Sequence, residues 1–251
     1  MNKVKGFAYS LLRDVCLLRT REGVAAWLDK RGITDYKIYK DLSVCVKGDV
    51  MISSSTKSFF DFLPINFRHV SGSFNCRYNK LKSLEGCPIK VGGSFDCSGN
   101  NLITLKGCPI EIGGSFDCRT NKLTSLEYCP AVVVNFDCCS NDMRSLVCGP
   151  TLVSGYYYCI NNGLNSLLGC PVAVGGNFNC SSNNLSSLEF CPANVGGNCS
   201  FIANKLVESE EFLYNCDVEK IGNYYRSKNL NNKLTKSLVD VQEVVVKKSK
   251  I

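Results

Sequence analysis

Apolar and polar positions alternate along this chain in a pattern that repeats about every 21 residues. Residues 84–97 read LEGCPIKVGGSFDC, and residues 105–118 read LKGCPIEIGGSFDC. The full unit is F-x-C-x-x-N-x-L-x-x-L-x-G-C-P-x-x-V-G-G-x. One asparagine marks it along the chain, at Asn79, Asn100, Asn121, Asn141, Asn162, Asn183 and Asn204. A fixed period of this length indicates a repeat protein in which each unit is stabilised by its neighbours.

The pattern within each unit predicts one short strand followed by a return leg. Phe95 and Cys97 alternate, so they point to one face of a strand, and the strands of successive units form a parallel sheet. The leucines, such as Leu102 and Leu105, are predicted to fill the space behind this sheet. The asparagine is predicted to bond to the backbone of the turn, and the proline to keep the return leg from forming a helix. The Gly-Gly pair is predicted to supply positive φ at the corner.

Different patterns flank the repeats. Residues 4–19 carry apolar residues at helical spacing, and a second helix is predicted to begin after Thr20 and to stop at Gly32. The alternation from Leu42 to Ile52 predicts strands that begin the sheet, and the residues after Asn204 have a helical pattern. We predict an α+β solenoid: an N-terminal helical cap with leading strands (1–61), a repeat solenoid (62–206) and a C-terminal helical cap with a tail (207–251).

Composition narrows the class of protein. The chain has 251 residues, of which 45% are hydrophobic, and this is enough for a sizeable core. Its 17 cysteines would suggest a disulfide scaffold in a short secreted chain, but this chain is long, and Arg13 interrupts the apolar run near its start. We therefore expect a cytoplasmic protein. The net charge of +7 is spread thinly, which argues against a nucleic-acid-binding protein.

The cysteines fall mainly at two positions of the repeat, where they are predicted to be buried free thiols. The first position holds Cys76, Cys97, Cys118, Cys138, Cys159 and Cys180, and the second holds Cys87, Cys108, Cys129, Cys170 and Cys191. The chain has no C-x-x-C pair, and its single histidine, His69, lacks partners for catalysis or metal binding. No phosphate-binding or dinucleotide-binding motif is present. The sequence thus predicts no enzymatic activity, no metal site and no cofactor.

The residues that face outward from the sheet are mostly serine and asparagine, but they change in the middle of the chain. If Phe95 and Cys97 point inward, Ser94, Asp96 and Ser98 point outward onto a concave face. The outward residues predicted to bind a partner are Arg77, Asp96, Asp117, Arg119, Asp137, Tyr156 and Tyr158. Tyrosine and arginine are common interface anchors, and stacked aspartates repel one another unless a basic group relieves them.

The fourth and fifth units depart from the pattern next to these residues. The fourth unit, CPAVVVNFDC, is one residue shorter and lacks the Gly-Gly pair, and the fifth reads VCGPTLVSGYYYC. We expect the sheet to change its twist or radius there.

The repeat resembles leucine-rich repeats, L-x-x-L-x-L-x-x-N/C-x-L, with phenylalanine and cysteine where leucine is usual. The form GCPxxVGGxFxCxxNxLxSL, preceded by GVAAWLDKRGI and LSVCVKGDVMIS, is similar to leucine-rich-repeat proteins of bacteriophages and bacteria. The resemblance covers residues 20–206. It implies a leucine-rich-repeat horseshoe that lies in the cytoplasm of an infected host, where it binds and modulates a host or defence protein.

These observations predict a non-enzymatic module that binds a partner protein on its concave face. Three alternatives stay open at this point. The first is an enzyme in which Asp96, Asp117 and Asp137 hold Mg²⁺ or Ca²⁺. The second is a nucleic-acid binder that uses the basic N-terminal region, and the third is a structural or oligomer-forming protein.

Overall fold

The structure, a computed structural model, describes residues 18–52 and 61–206. Within these residues the chain forms a parallel β-solenoid of about seven turns, preceded by one helix. Residues 4–17 of the helix predicted for 4–19, and the C-terminal cap predicted for 207–251, lie outside the described residues; residues 18–19 form a turn.

The helix, α1 (Arg21–Asp29), begins as the sequence predicts. Thr20 is its N-cap, and the Thr20 Oγ1 accepts a hydrogen bond from the Gly23 N–H at 3.1 Å. The helix ends at Asp29, before the predicted stop at Gly32, which follows with a φ of +72°. Val24 and Leu28 are fully buried, so α1 packs its apolar side against the first turn of the solenoid.

The strands are short, as expected when each turn of a solenoid contributes only a few residues to a sheet. In chain order they are β1 (Tyr36–Ile38), β2 (Val44–Val46), β3 (Val50–Met51), β4 (Phe67–Val70), β5 (Phe74–Asn75), β6 (Lys90–Val91), β7 (Phe95–Asp96), β8 (Glu111–Ile112), β9 (Phe116–Asp117), β10 (Val132–Val133), β11 (Phe136–Asp137), β12 (Leu152–Val153), β13 (Tyr157–Tyr158), β14 (Ala173–Val174), β15 (Phe178–Asn179), β16 (Asn194–Val195) and β17 (Cys199–Ser200).

The predicted parallel sheet is confirmed. The odd-numbered strands from β3 to β17 form one continuous eight-stranded sheet, which we call the long sheet. Equivalent residues are paired in register, for example Phe95 with Phe116 and Asp96 with Asp117. A row of aromatic rings, all phenylalanine except Tyr157, lines the inside of this sheet from Phe74 to Phe201, with neighbouring centroids 5.1–6.1 Å apart and the rings tilted or edge-on to one another.

The return leg also forms strands, which the sequence analysis missed. The segment after each proline pairs with its equivalent in the next turn, as Val70 does with Val91. These strands form two sheets, β1-β2-β4-β6-β8 and β10-β12-β14-β16, in which only the β1–β2 pair is antiparallel. The two sheets do not join between β8 and β10, where the fourth unit is one residue short.

The predicted core is also confirmed. Phe95, Cys97, Leu102 and Leu105 have no exposed surface, and their equivalents from Phe74 to Leu188 are buried with them, whereas Cys199 and Leu206 in the last unit are only partly buried. Each of the fifteen cysteines in the described residues is a free thiol. Burial raises the pKa of Cys97 well above its ordinary value because a thiolate would be separated from water. The core cysteines therefore act as small apolar side chains.

The prediction that the Gly-Gly pair supplies positive φ at the corner is wrong. Neither glycine of the pair has a positive φ; the left-handed position is the glycine before cysteine, such as Gly107 with a φ of +89°. At Gly113, in the pair, a Cβ atom would lie 2.1 Å from the Gly92 carbonyl oxygen of the preceding turn. The pair is needed because successive backbones approach too closely there for a side chain.

In the fifth unit the glycine and the cysteine that precede the proline are in reversed order. Cys148 takes the left-handed position with a φ of +68°, and Gly149 takes the inward position that other units give to cysteine. Tyr157 replaces phenylalanine in the same unit, and its hydroxyl lies 3.4 Å from the place of a Cβ at Gly149. The missing cysteine side chain thus leaves room for the hydroxyl, which is buried without a hydrogen-bond partner.

Candidate functional site

The long sheet presents one face to the core and the other face to the outside, and we call the latter the front face. Each strand of the long sheet has two residues, and the second residue of each strand forms the central row of this face. The register pairs Asp96 with Asp117, Asp117 with Asp137, and Asp137 with Tyr158. Four of the predicted site residues are therefore direct neighbours across strands.

Two arginines pair with these carboxylates from one side of the row. The Arg119 Nε lies 3.3 Å from the Asp117 Oδ2, and its Nη1 lies 3.4 Å from the Asp137 Oδ2. The Arg77 Nη1 lies farther, 3.7 Å from the Asp96 Oδ2. The three carboxylates of the row thus pair with only two guanidinium groups, because Arg119 pairs with both Asp117 and Asp137.

The carboxylates also hold the backbone of the turn that follows each strand. The Oδ1 atoms of Asp96, Asp117 and Asp137 accept hydrogen bonds from the N–H two residues later, at 3.0–3.1 Å. Asn75 and Asn179 accept the same bond elsewhere in the row. The row therefore has a structural role in addition to any binding role, and the sequence analysis did not identify it.

Two outward assignments are wrong, because Asp137 is only 5% exposed and Ser98 is buried too. Ser98 was expected on the outer surface, but only 2% of it is exposed. Its hydroxyl donates a hydrogen bond to the Asp96 Oδ1 at 2.6 Å, which turns the side chain back against the strand. The front face therefore has less free surface beside Asp96 than simple alternation predicts.

Asp117 is the most perturbed carboxyl of the row. Burial raises its pKa to about 6, since the charged form loses contact with water. The Arg119 N–H and guanidinium lower the pKa, whereas the carboxylates of Asp137 and Asp96 raise it. Desolvation is the largest of these effects, so the raised pKa mainly reflects the burial of the carboxyl group.

Two tyrosines extend the row beyond the aspartates. The rings of Tyr156 and Tyr158 stack with their centroids 4.4 Å apart and their planes at 20°. Both rings are half-buried, and the Tyr158 hydroxyl accepts a weak hydrogen bond from Asn177 at 3.5 Å. The pKa of Tyr156 is raised by burial first and then by the charges of Asp137 and Asp117, and it is lowered by the charge of Arg119, so the tyrosine lies near both the carboxylates and their arginine.

The row of asparagines is structural, as predicted. The Asn100 Nδ2 donates to the carbonyl of Cys97 in its own turn at 2.9 Å and to that of Cys76 in the preceding turn at 3.1 Å. Its Oδ1 accepts the Leu81 N–H at 3.1 Å. His69 is exposed on β4. Neither the asparagine row nor the histidine adds a reactive group to the front face.

A second unusual surface lies on the return leg, and the sequence analysis missed it. Large apolar side chains there are more than half exposed. They are Ile89, Ile110, Val132, Leu152 and Val172. A groove of about 390 Å³ opens beside Ile110 and Val132, near the break between β8 and β10. The signal for this row was the variable pair of residues after each proline, where apolar residues recur.

Comparisons of the chain with protein-family models, curated proteins and solved structures found no match. Among the described residues, no group of three or more histidine, cysteine, aspartate or glutamate side chains is arranged to hold a metal ion. No helix in the described part of the chain is long and apolar enough to cross a membrane.

Proposed function

We propose that this chain is a non-enzymatic interaction module that binds a partner protein on the front face. In this proposal the solenoid is a leucine-rich-repeat horseshoe with helical caps, and the front face is its concave side. By resemblance to phage and bacterial repeat proteins, the setting is the cytoplasm of an infected host, and the partner is a host or defence protein.

The observation that carries the proposal is the change of the front face from Asp96 to Tyr158. Elsewhere the face bears mainly serine and asparagine, with exposed Met51 and Ile202 near its two ends, whereas here it bears carboxylates, arginines and stacked tyrosines. Tyrosine and arginine are enriched among the residues that dominate binding energies. The strands beneath them are joined by the backbone ladder, so little conformational entropy is lost on binding.

The test is affinity capture from a bacterial lysate with wild-type protein, Tyr158→Ala and Asp117→Asn. Asparagine is chosen because only 21% of the Asp117 side chain is exposed, so a larger residue would disturb the sheet. We expect each variant to weaken binding of the captured protein by about 1–3 kcal/mol. Tyr128, which is 49% exposed and lies away from the long sheet, provides the control Tyr128→Ala. Equal capture by wild type and both front-face variants would show that the partner binds elsewhere.

A further inference from the structure

The chain itself shows how its fold binds a guanidinium group. The Arg68 guanidinium carbon lies 4.3 Å from the centroid of the Tyr39 ring, and its Nη2 lies 2.8 Å from the Asp41 Oδ2. Arg31 lies over the Trp27 ring in the same way, at 3.7 Å. A planar guanidinium can stack on a ring while it pairs with a carboxylate, and Arg68 does both.

The front face has the same kinds of group that hold Arg68, namely aromatic rings beside a carboxylate. Tyr156 and Tyr158 supply the rings, and Asp137 lies directly across the strands from Tyr158. Arg119 binds Asp117 and Asp137, but neither it nor any other described arginine or lysine lies over the two tyrosine rings. In the part of the chain that the structure describes, no cation is therefore stacked on these rings, although the Arg119 charge lies near enough to Tyr156 to lower the pKa of its hydroxyl.

We propose that the Tyr156–Tyr158 pair, beside Asp117 and Asp137, binds an arginine side chain of the partner protein. The inference rests on the proposed function and adds the chemistry of the group that the front face recognises. Charge complementarity supports it, because the central row has three carboxylates for two guanidinium groups. The Asp137 side chain is only 7% exposed and already pairs with Arg119, so it acts on a bound guanidinium through its charge and not by direct contact.

Arginine fits this site better than other partner groups do. Lysine is a strongly hydrated point charge, and it cannot stack as a plane on the tyrosines. A nucleic acid could stack its bases on the same rings, but its phosphates would meet the carboxylate row. A neutral aromatic side chain would stack equally well, but the carboxylates would give it no advantage.

The test uses the full-length protein and three small probes followed by NMR of the tyrosine rings. The probes are acetyl-Gly-Arg-Gly-amide, the same peptide with citrulline in place of arginine, and the same peptide with lysine. Citrulline keeps the shape of arginine but lacks its charge. We expect the arginine peptide to shift the Tyr156 and Tyr158 resonances in the millimolar range and to bind at least threefold more tightly than either of the others. Addition of salt should weaken its binding.

The matched variants are Tyr158→Ala at the site and Tyr128→Ala at an exposed tyrosine away from the long sheet. Thermal melting confirms that each variant is folded. Tyr158→Ala should lose the preference for arginine over citrulline, and Tyr128→Ala should keep it. The proposal is overturned if arginine and citrulline bind alike, if Tyr158→Ala keeps the preference, or if an oligothymidylate binds these rings and the arginine peptide does not.

The outcome separates this inference from the function on which it rests. If front-face variants weaken capture of the partner but the peptides do not discriminate, the partner docks without an arginine at this site. If capture is unaffected by the variants, the interaction function of the front face fails, whatever the peptides show.

Discussion

A single aspartate of the front face has several roles. Asp117 accepts a backbone N–H from Arg119, pairs with the Arg119 guanidinium, and lies between two other carboxylates. The first two contacts favour its charged form, and burial with the flanking charges opposes it. Since the opposing effects are larger, the negative charge of Asp117 costs folding free energy at neutral pH.

Because the negative charge of Asp117 lowers the free energy of unfolding, we predict that Asp117→Asn stabilises the protein in a pH-dependent way. The folded-state pKa of about 6 lies above the ordinary value of 3.8, so the folded protein binds the proton more tightly than the unfolded chain does. The cost is therefore absent below about pH 4, grows through pH 4–6 and is complete above pH 6. After allowance for partial exposure, we expect the variant to melt about 2–4 °C above wild type at pH 7.5. The difference should shrink at pH 4.

The control for this prediction is Asp142→Asn, because Asp142 is exposed and lies outside the carboxylate row. It should leave the melting temperature unchanged at both pH values. A lower melting temperature of Asp117→Asn at pH 7.5 would mean that the Arg119 pair outweighs burial and repulsion. Scanning calorimetry at the two pH values distinguishes these results.

At the level of the structural element, the repeat pattern predicted one ladder and missed the other. The alternation in F-x-C is strong because two apolar residues flank one polar residue in nearly every unit. On the return leg only one position, such as Val91 or Ile112, is consistently apolar, and a proline precedes it. The strand there is held by backbone pairing with the next turn, which is a long-range effect that local alternation does not reveal.

The site residues were only partly predictable for a related reason. The register of the repeats was enough to place Asp117 beside Asp137 and Asp96. The inward turn of Ser98 and the stacking of Tyr156 on Tyr158 depend on side-chain rotamers and on hydrogen bonds. The sequence pattern contains no information about either.

Close backbone approach predicts that Gly113→Ala is strongly destabilising. Its Cβ would lie 2.1 Å from the Gly92 carbonyl oxygen, and neither backbone can move without breaking the pairing of β6 with β8. We expect the free energy of unfolding to fall by more than about 2 kcal/mol, measured by urea denaturation. In the control Gly163→Ala, the nearest atom to the new Cβ is 3.4 Å away, and the change should be small. Equal stability of the two variants would contradict a steric role for the pair.

On the scale of the whole molecule, the two ladders do not connect the turns equally. The long sheet runs without a break from β3 to β17, whereas the return-leg strands are interrupted between β8 and β10. At that junction the two halves of the solenoid are joined by the pairing of β9 with β11, by the contact of the Phe116 and Phe136 rings, and by hydrogen bonds such as that from the Val134 N–H to the Gly114 carbonyl at 3.0 Å, but not by a return-leg strand pair. In a repeat protein each turn is stabilised by its nearest neighbours, so we expect this junction, which lacks one strand pairing, to be the weakest.

The weak junction predicts that Phe136→Ala uncouples the two halves. Phe136 and Phe95 are both fully buried, and truncation of either should cost about 3–5 kcal/mol. Only Phe136 lies at the interrupted ladder, since β4, β6 and β8 remain paired around Phe95. Trp27 is the single tryptophan and reports on the N-terminal half, whereas circular dichroism follows the whole chain. Urea midpoints from the two signals should coincide for wild type and Phe95→Ala but separate for Phe136→Ala. Coincident midpoints in all three proteins would show that the long sheet alone makes the solenoid unfold as one unit.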